Sequence, residues 1–119
     1  MYLLIYFAKR LFLTFFVKKQ TVLLRDLLRK SREDRGLTLK EVASVLGLDQ
    51  AILSKMERGE RNFKSHHIEA LCKIYSLDFS KKNKEYIAEK IAELINGDFE
   101  IEELLILIRK KQNLLKRLL

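Results

Sequence analysis

The chain has 119 residues, of which 48% are hydrophobic and 34% are charged, with one cysteine and no proline. This length accommodates one small domain with an accessory element and excludes a large multi-domain enzyme. The composition excludes a disordered chain and a disulfide framework, and the single Cys72 favours a reducing compartment. Because proline is absent and leucine, isoleucine, lysine and glutamate are abundant, we expect an all-α protein.

The charge balance points to a polyanionic partner. Twenty-four lysine and arginine residues against sixteen acidic ones give a formal charge of +8. The sequence contains no Ser-His-Asp set, phosphate-binding glycine loop or catalytic carboxylate cluster. Its two histidines, His66 and His67, are adjacent, so on a helix they diverge by about 100° and have no further zinc ligand nearby. We therefore expect no enzyme activity, no metal and no cofactor.

Residues 1–21 are a hydrophobic and basic extension. Lys9 and Arg10 interrupt the apolar run, which fits neither a secretory signal nor a bilayer-spanning helix. We interpret the extension as a translation-start artefact, with a helix lying on a membrane surface as the alternative.

The next segment predicts two helices separated by a glycine. The first has an apolar face that includes Leu24 and Leu28 and stops at Gly36. The second starts with a capping box formed by Thr38 and Glu41 and ends at Gly47. The residues of the second helix that we expect to face inward are Val42, Ala43, Val45 and Leu46.

The remaining spacing predicts four more helices. Asp49 is expected to N-cap the third, which runs through Arg58, and Ser65 is expected to cap the fourth. The fifth covers residues 84–95, and the sixth runs from Asp98 to the C-terminus. The fourth helix carries a stripe of residues expected to be buried: Ile68, Leu71, Cys72 and Tyr75.

The second and third helices have the features of a helix-turn-helix. Ala43 is small where the two helices cross, Gly47 permits the turn, and Leu53 anchors the third helix from beneath. This arrangement leaves the outer face of the third helix free.

The stretch GLTLKEVASVLGLDQAILSKMERGER is similar to the phage repressor and Cro family of DNA-binding domains, also called the Xre family. The resemblance covers residues 23–77, and its most specific part is the run LSKMERGER. In that family a dimer places its recognition helices in the major groove. The resemblance implies a compact five-helix domain with a C-terminal helical extension.

The resemblance also implies roles for individual residues. Base edges would be faced by Gln50, Ala51, Ser54 and Lys55, and phosphates would be contacted by Arg58, Arg61, Asn62 and Lys64. Arg32 and Glu57 would form the family's buried ion pair. One departure is Leu39, where the family usually has a glutamine that contacts a phosphate.

The C-terminal third predicts a helix that must be covered. Ile101, Ile108 and Leu115 are spaced by seven residues, and Lys111 interrupts the apolar seam. Part of this helix would lie on the fifth helix, and the remainder would form a dimer contact. We therefore divide the chain into residues 1–21, a DNA-binding domain at 22–77 and a helical extension at 78–119.

Together these features predict a cytoplasmic transcription regulator that binds double-stranded DNA, a repressor acting as a homodimer on a palindromic operator. One alternative is an antitoxin that binds DNA with the same domain and a toxin with the C-terminal helix. A second alternative is a membrane-tethered regulator that uses residues 1–17.

Overall fold

The computed structural model describes residues 2–18, 22–95 and 100–119. These residues form seven helices and no strand, so the expected all-α class is confirmed. Clustering in space divides the chain into two compact units, Met1–Ile87 and Ala88–Leu119. The helices are α1 Tyr2–Lys18, α2 Leu24–Asp34, α3 Leu39–Leu46, α4 Gln50–Glu57, α5 Ser65–Tyr75, α6 Phe79–Leu94 and α7 Ile101–Leu118.

The core of the first unit lies between helices α2 to α5. α4 packs against both α2 and α3, and α5 packs against α2. The predicted stripe of α5 is buried throughout, and burial raises the pKa of the Cys72 thiol, as expected for an unreactive small hydrophobic side chain. The core consists of Leu24, Leu28, Val42, Ala43, Leu53, Met56, Phe63, Ile68, Leu71, Cys72 and Tyr75.

The start and end of α3 follow from local chemistry. The Thr38 hydroxyl accepts a hydrogen bond from the Glu41 amide at 3.1 Å, and the Glu41 carboxylate accepts one from the Thr38 amide at 2.8 Å. This predicted capping box is confirmed, and its hydrogen bonds lower the pKa of Glu41. Gly47 ends α3 in the left-handed conformation, at φ 67°, which glycine adopts without steric cost.

Two sequence predictions about individual residues are wrong, and a third is confirmed in position only. Val45 is 68% exposed, because it lies on the solvent side of the short α3 while Val42 and Ala43 face the core. Asp49 occupies the N-cap position of α4, as predicted, but its carboxylate makes no capping hydrogen bond to that helix. The N-cap of α5 is Lys64, not Ser65.

The predicted boundaries of the last two helices also need correction. α6 begins at Phe79, five residues before the predicted start, because Asp78 initiates it by accepting a hydrogen bond from the Lys81 amide at 3.3 Å. Its first turns are lysine-rich and carry no apolar periodicity that would reveal them. α7 begins at Ile101, whereas the predicted start, Asp98, lies outside the described residues. Between residues 22 and 77 the structure has four helices, α2 to α5, where five were expected for the domain, and α6 follows at Phe79.

The described side chains at the start of α1, residues 2–11, are all exposed. Among the described helices, none combines the length and the apolar character that a membrane crossing demands.

Candidate nucleic-acid interface

α4 is held from beneath and presents its other side to solvent. Leu53 and Met56 are buried against α2 and α3, as the sequence predicted for Leu53. Gln50, Ala51 and Lys55 are exposed on the opposite side. The eight-residue helix therefore presents short and polar side chains at the position that a recognition helix occupies in a helix-turn-helix.

Arg32 of α2 and Glu57 of α4 form a buried ion pair beneath this surface. The Arg32 Nε lies 2.8 Å from Glu57 Oε1, and its Nη2 donates to Oε2 at 3.0 Å. A third guanidinium nitrogen donates to the carbonyl of Leu37 at 2.9 Å. The hydrogen bonds with Glu57 raise the pKa of Arg32. The pair fixes the end of α4 to α2 and to the start of the turn before α3.

Arg58 follows α4 and is held by two acceptors. One guanidinium nitrogen donates to the Ser54 hydroxyl at 2.6 Å, and Nε donates to the Glu60 carboxylate at 2.9 Å. These contacts draw the half-buried Ser54 hydroxyl toward Arg58. Sequence reasoning assigned Ser54 and Arg58 to DNA without finding their direct hydrogen bond or the pairing of Arg58 with Glu60. Arg58 and Glu60 have opposite charges and are two residues apart. This spacing is the signal that would have indicated their ion pair.

The segment after α4 forms a firm loop with polar side chains outside. The amides of Glu60 and Arg61 both donate to the carbonyl of Lys55, at 2.9 and 3.3 Å. Phe63 is buried, and its carbonyl accepts a hydrogen bond from the Tyr86 hydroxyl at 3.0 Å. This anchoring was missed in the sequence. Every residue of the loop from Arg58 to Lys64 is exposed except Phe63, and the candidate phosphate contacts among them are Arg58, Arg61, Asn62 and Lys64.

A buried histidine closes the far end of the loop. His67 is 6% exposed, and its Nδ1 accepts a hydrogen bond from the Lys64 amide at 3.1 Å. Burial, reinforced by the charges of His66, Lys64 and Arg61, lowers the pKa of His67. The neutral ring therefore acts as the cap that the sequence assigned to Ser65. Within residues 2–18, 22–95 and 100–119, no three His, Cys, Asp or Glu side chains are grouped as a metal site requires.

A small cleft of about 110 Å³ opens beside the start of α3. Leu39 forms part of its wall, together with the buried pair of Arg32 and Glu57, the Ser54 side chain and two more arginines, Arg29 and Arg58. Arg29 also pairs with Glu33 at 3.0 Å. Sequence reasoning did not single out Arg29, because Arg29 comes close to Arg58 and Leu39 only when α2 packs against α4.

Residues 23–80 match a family model described as a helix-turn-helix domain. No curated protein matches the chain. Among solved structures, the clp gene regulator ClgR from C. glutamicum is similar over 56% of this chain and 87% of its own, with 27% identity and a TM-score of 0.47. The predicted helix-turn-helix is thus confirmed, and the chain carries a helix-turn-helix domain, a DNA-binding fold, at residues 23–80.

Proposed function

We propose that this protein is a transcription regulator that recognises a specific operator sequence through the outer face of α4. The single observation that carries the proposal is the exposure of Gln50, Ala51 and Lys55 on a helix whose other side is locked into the core. A helix presented in this way fits the major groove, which is wide enough to admit it. We propose that the protein acts in the cytoplasm by binding rather than by catalysis.

The proposed contacts divide into two classes. Gln50 suits the paired donor and acceptor of adenine, Lys55 suits the acceptors of guanine, and Ala51 suits a thymine methyl group. Ser54 lies one turn from Gln50 and borders the same surface, but Arg58 holds its hydroxyl in the free protein. The polar residues around α4 would contact phosphates and set the register: Arg58, Arg61, Asn62 and Lys64.

The cleft beside Leu39 would compensate for the absence of the glutamine that the phage repressor and Cro family usually has at this position. Arg29 and Arg58 supply two cationic side chains within the same cleft wall. A phosphate at the start of α3 would meet these charges and the positive end of the helix, where the capping box already engages the Thr38 and Glu41 amides. We therefore propose that Leu39 alters the chemistry of this phosphate contact without removing it.

A homodimer and repression complete the proposal. Two copies related by a two-fold axis would read two inverted half-sites, about one helical turn apart. Repression by occupancy of a promoter needs no surface beyond DNA binding and dimerisation. The helix-turn-helix domain and the helical extension would supply these two surfaces.

Selection of bound sequences from a random pool of double-stranded DNA tests the function. The full-length protein should enrich an inverted repeat whose half-site centres lie about 10 to 11 base pairs apart. A variant with both Gln50→Ala and Lys55→Ala should lose that consensus while retaining salt-sensitive binding. Recovery of unselected DNA by the wild-type protein would overturn the proposal.

A further inference from the structure

α7 carries a wide apolar stripe that the described structure leaves largely open. The stripe runs along one side of the helix and comprises Ile101, Leu104, Ile108, Leu115 and Leu118, at seven-residue and intervening spacing. Leu118 is 75% exposed, while Leu104 and Ile108 are half-buried. Within its own unit, Ala88–Leu119, the described end of α6 packs little against α7. The stripe runs the length of the 18-residue helix, about 27 Å, and is interrupted by Lys111; an exposed apolar surface of this length is one that a protein normally covers.

The charges of α7 are segregated along its length. Its N-terminal end is acidic, with Glu100 preceding the helix and Glu102 and Glu103 in its first turn. Its second half is basic, and the residues responsible are Arg109, Lys110, Lys111, Lys116 and Arg117. A helix with this distribution is complementary to its own reversed copy. The same distribution in two parallel copies would set like charges side by side.

We infer that α7 pairs in antiparallel orientation with α7 of a second copy of this chain. This pairing rests on the homodimer of the proposed function and specifies its contact. The orientation places the acidic start of each α7 beside the basic end of the other. It also opposes the two helix dipoles favourably.

The apolar spacing selects one register for this pair. Full overlap of the two helices sets Ile101 opposite Leu118 of the other copy and Leu104 opposite Leu115. In the central layers Ile108 lies opposite Lys111. The aliphatic stem of lysine can cover an apolar neighbour while its amine reaches water. A single polar residue in an otherwise apolar seam also disfavours shifted registers.

Cysteine cross-linking tests the orientation in the full-length protein. One preparation carries Leu104→Cys and a second carries Leu115→Cys, each with the buried Cys72 retained. Mild oxidation of the mixture should give a disulfide-linked dimer containing one chain of each kind, identified by its mass. Each preparation alone, and the wild-type chain, should remain largely uncross-linked. Efficient cross-linking of each preparation alone would show parallel helices and overturn the inference.

Sedimentation of substituted chains tests the stripe itself. Ile108→Asp should weaken dimerisation by at least about tenfold, because it places a charge in the apolar seam. The matched control is Ile106→Asp, on the same helix but facing away from the stripe, where the side chain is 58% exposed. The control should dimerise like the wild type. Lys111→Leu should strengthen dimerisation, which a merely misfolded variant would not do.

The outcomes separate this pairing from the proposed function. A wild-type chain that stays monomeric at tens of micromolar, or that dimerises equally well with Ile108→Asp, overturns the pairing. Sequence-selective DNA binding would then still stand on its own selection experiment. Conversely, an antiparallel dimer that selects no DNA sequence would support the pairing and overturn the proposed function.

Discussion

The guanidinium of Arg32 and the carboxylate of Glu57 meet in a two-point contact, at 2.8 and 3.0 Å, between α2 and α4. Both side chains are buried, at 9% and 5% exposure. Glu57 is one turn past Leu53 on α4, so the pair sets how the recognition surface is aligned against the rest of the domain. The contact connects the stability of the fold to the geometry of the proposed DNA-binding face.

Glu57→Ala should strongly destabilise the domain. The substitution leaves the buried Arg32 guanidinium with the Leu37 carbonyl at 2.9 Å and the exposed Glu33 carboxylate at 3.8 Å as its described acceptors. Removal of one member of a buried pair costs about 3 to 5 kcal/mol. Thermal and denaturant unfolding measure this loss. The control is Glu69→Ala, which breaks an exposed pair with Lys73 and should change stability by less than about 1 kcal/mol. Equal effects of the two substitutions would contradict a buried pair.

The sequence allowed prediction of features that depend on a few neighbouring residues. The capping box at Thr38 and the end of α3 at Gly47 are of this kind, since spacing alone determines which groups meet. The stripe of α5 was equally predictable, because its periodicity is regular and its residues are apolar. The pair of Arg32 with Glu57 joins residues 25 positions apart, and it was reached only through the family resemblance.

The features that sequence reasoning missed depend on tertiary packing. Val45 fits the apolar pattern of α3, yet the helix is too short for all its apolar residues to face the core. Ser65 is a favoured N-cap type, but a buried histidine two residues later supplies the acceptor. Phe63 and Tyr86 meet across 23 residues, in a contact that no local pattern indicates.

Acid should destabilise the domain through His67. Its pKa is lowered in the folded state, so the unfolded chain binds the proton more tightly. The stability from the neutral ring is fully present above about pH 6.5, the unfolded value, and is lost as pH falls toward the lower folded pKa. The free energy of unfolding should therefore fall between about pH 7 and pH 5, with a slope of up to about 1.4 kcal/mol per pH unit. The melting temperature should fall with it.

The matched pair for this measurement is His67→Gln and His66→Gln. Glutamine at position 67 can still accept from the Lys64 amide but does not titrate, so the pH dependence in this window should flatten. His66 is exposed, and its replacement should leave the dependence in place. The opposite pattern would assign the effect to His66.

Glu60 should restrain DNA binding by competing for Arg58. In the free protein Glu60 and Ser54 hold the Arg58 guanidinium, which must turn to a phosphate if the proposed contact forms. Glu60→Gln should raise affinity for all DNA sequences by up to about fivefold, since exposed ion pairs are weak. Fluorescence anisotropy on operator and unrelated duplexes measures the change.

A double-mutant cycle isolates the role of Arg58 in that effect. Glu60→Gln also removes a negative charge near DNA, and this general contribution persists when Arg58 is replaced by glutamine. The gain from Glu60→Gln should therefore be smaller in the Arg58→Gln background. An equal gain in both backgrounds would show that Glu60 does not compete for Arg58.

Base readout by Gln50 and phosphate contact by Arg61 should have different signatures. Gln50→Ala should cost about 1 to 3 kcal/mol on the selected operator and relax the base preference at one position per half-site. Arg61→Ala should weaken binding to all sequences alike. For a symmetric dimer it should also reduce the magnitude of the negative slope of log affinity against log salt by about two. Both side chains are exposed, so the fold should be unchanged.

The most direct test of α4 as the reading helix measures the affinity of the wild-type, Gln50→Ala and Arg61→Ala proteins across a panel of operators with single base changes, at several salt concentrations. The account predicts that Gln50→Ala flattens the preference at one position per half-site and that Arg61→Ala lowers every affinity by the same factor. The same uniform loss from both substitutions, at every base, would contradict sequence recognition by α4.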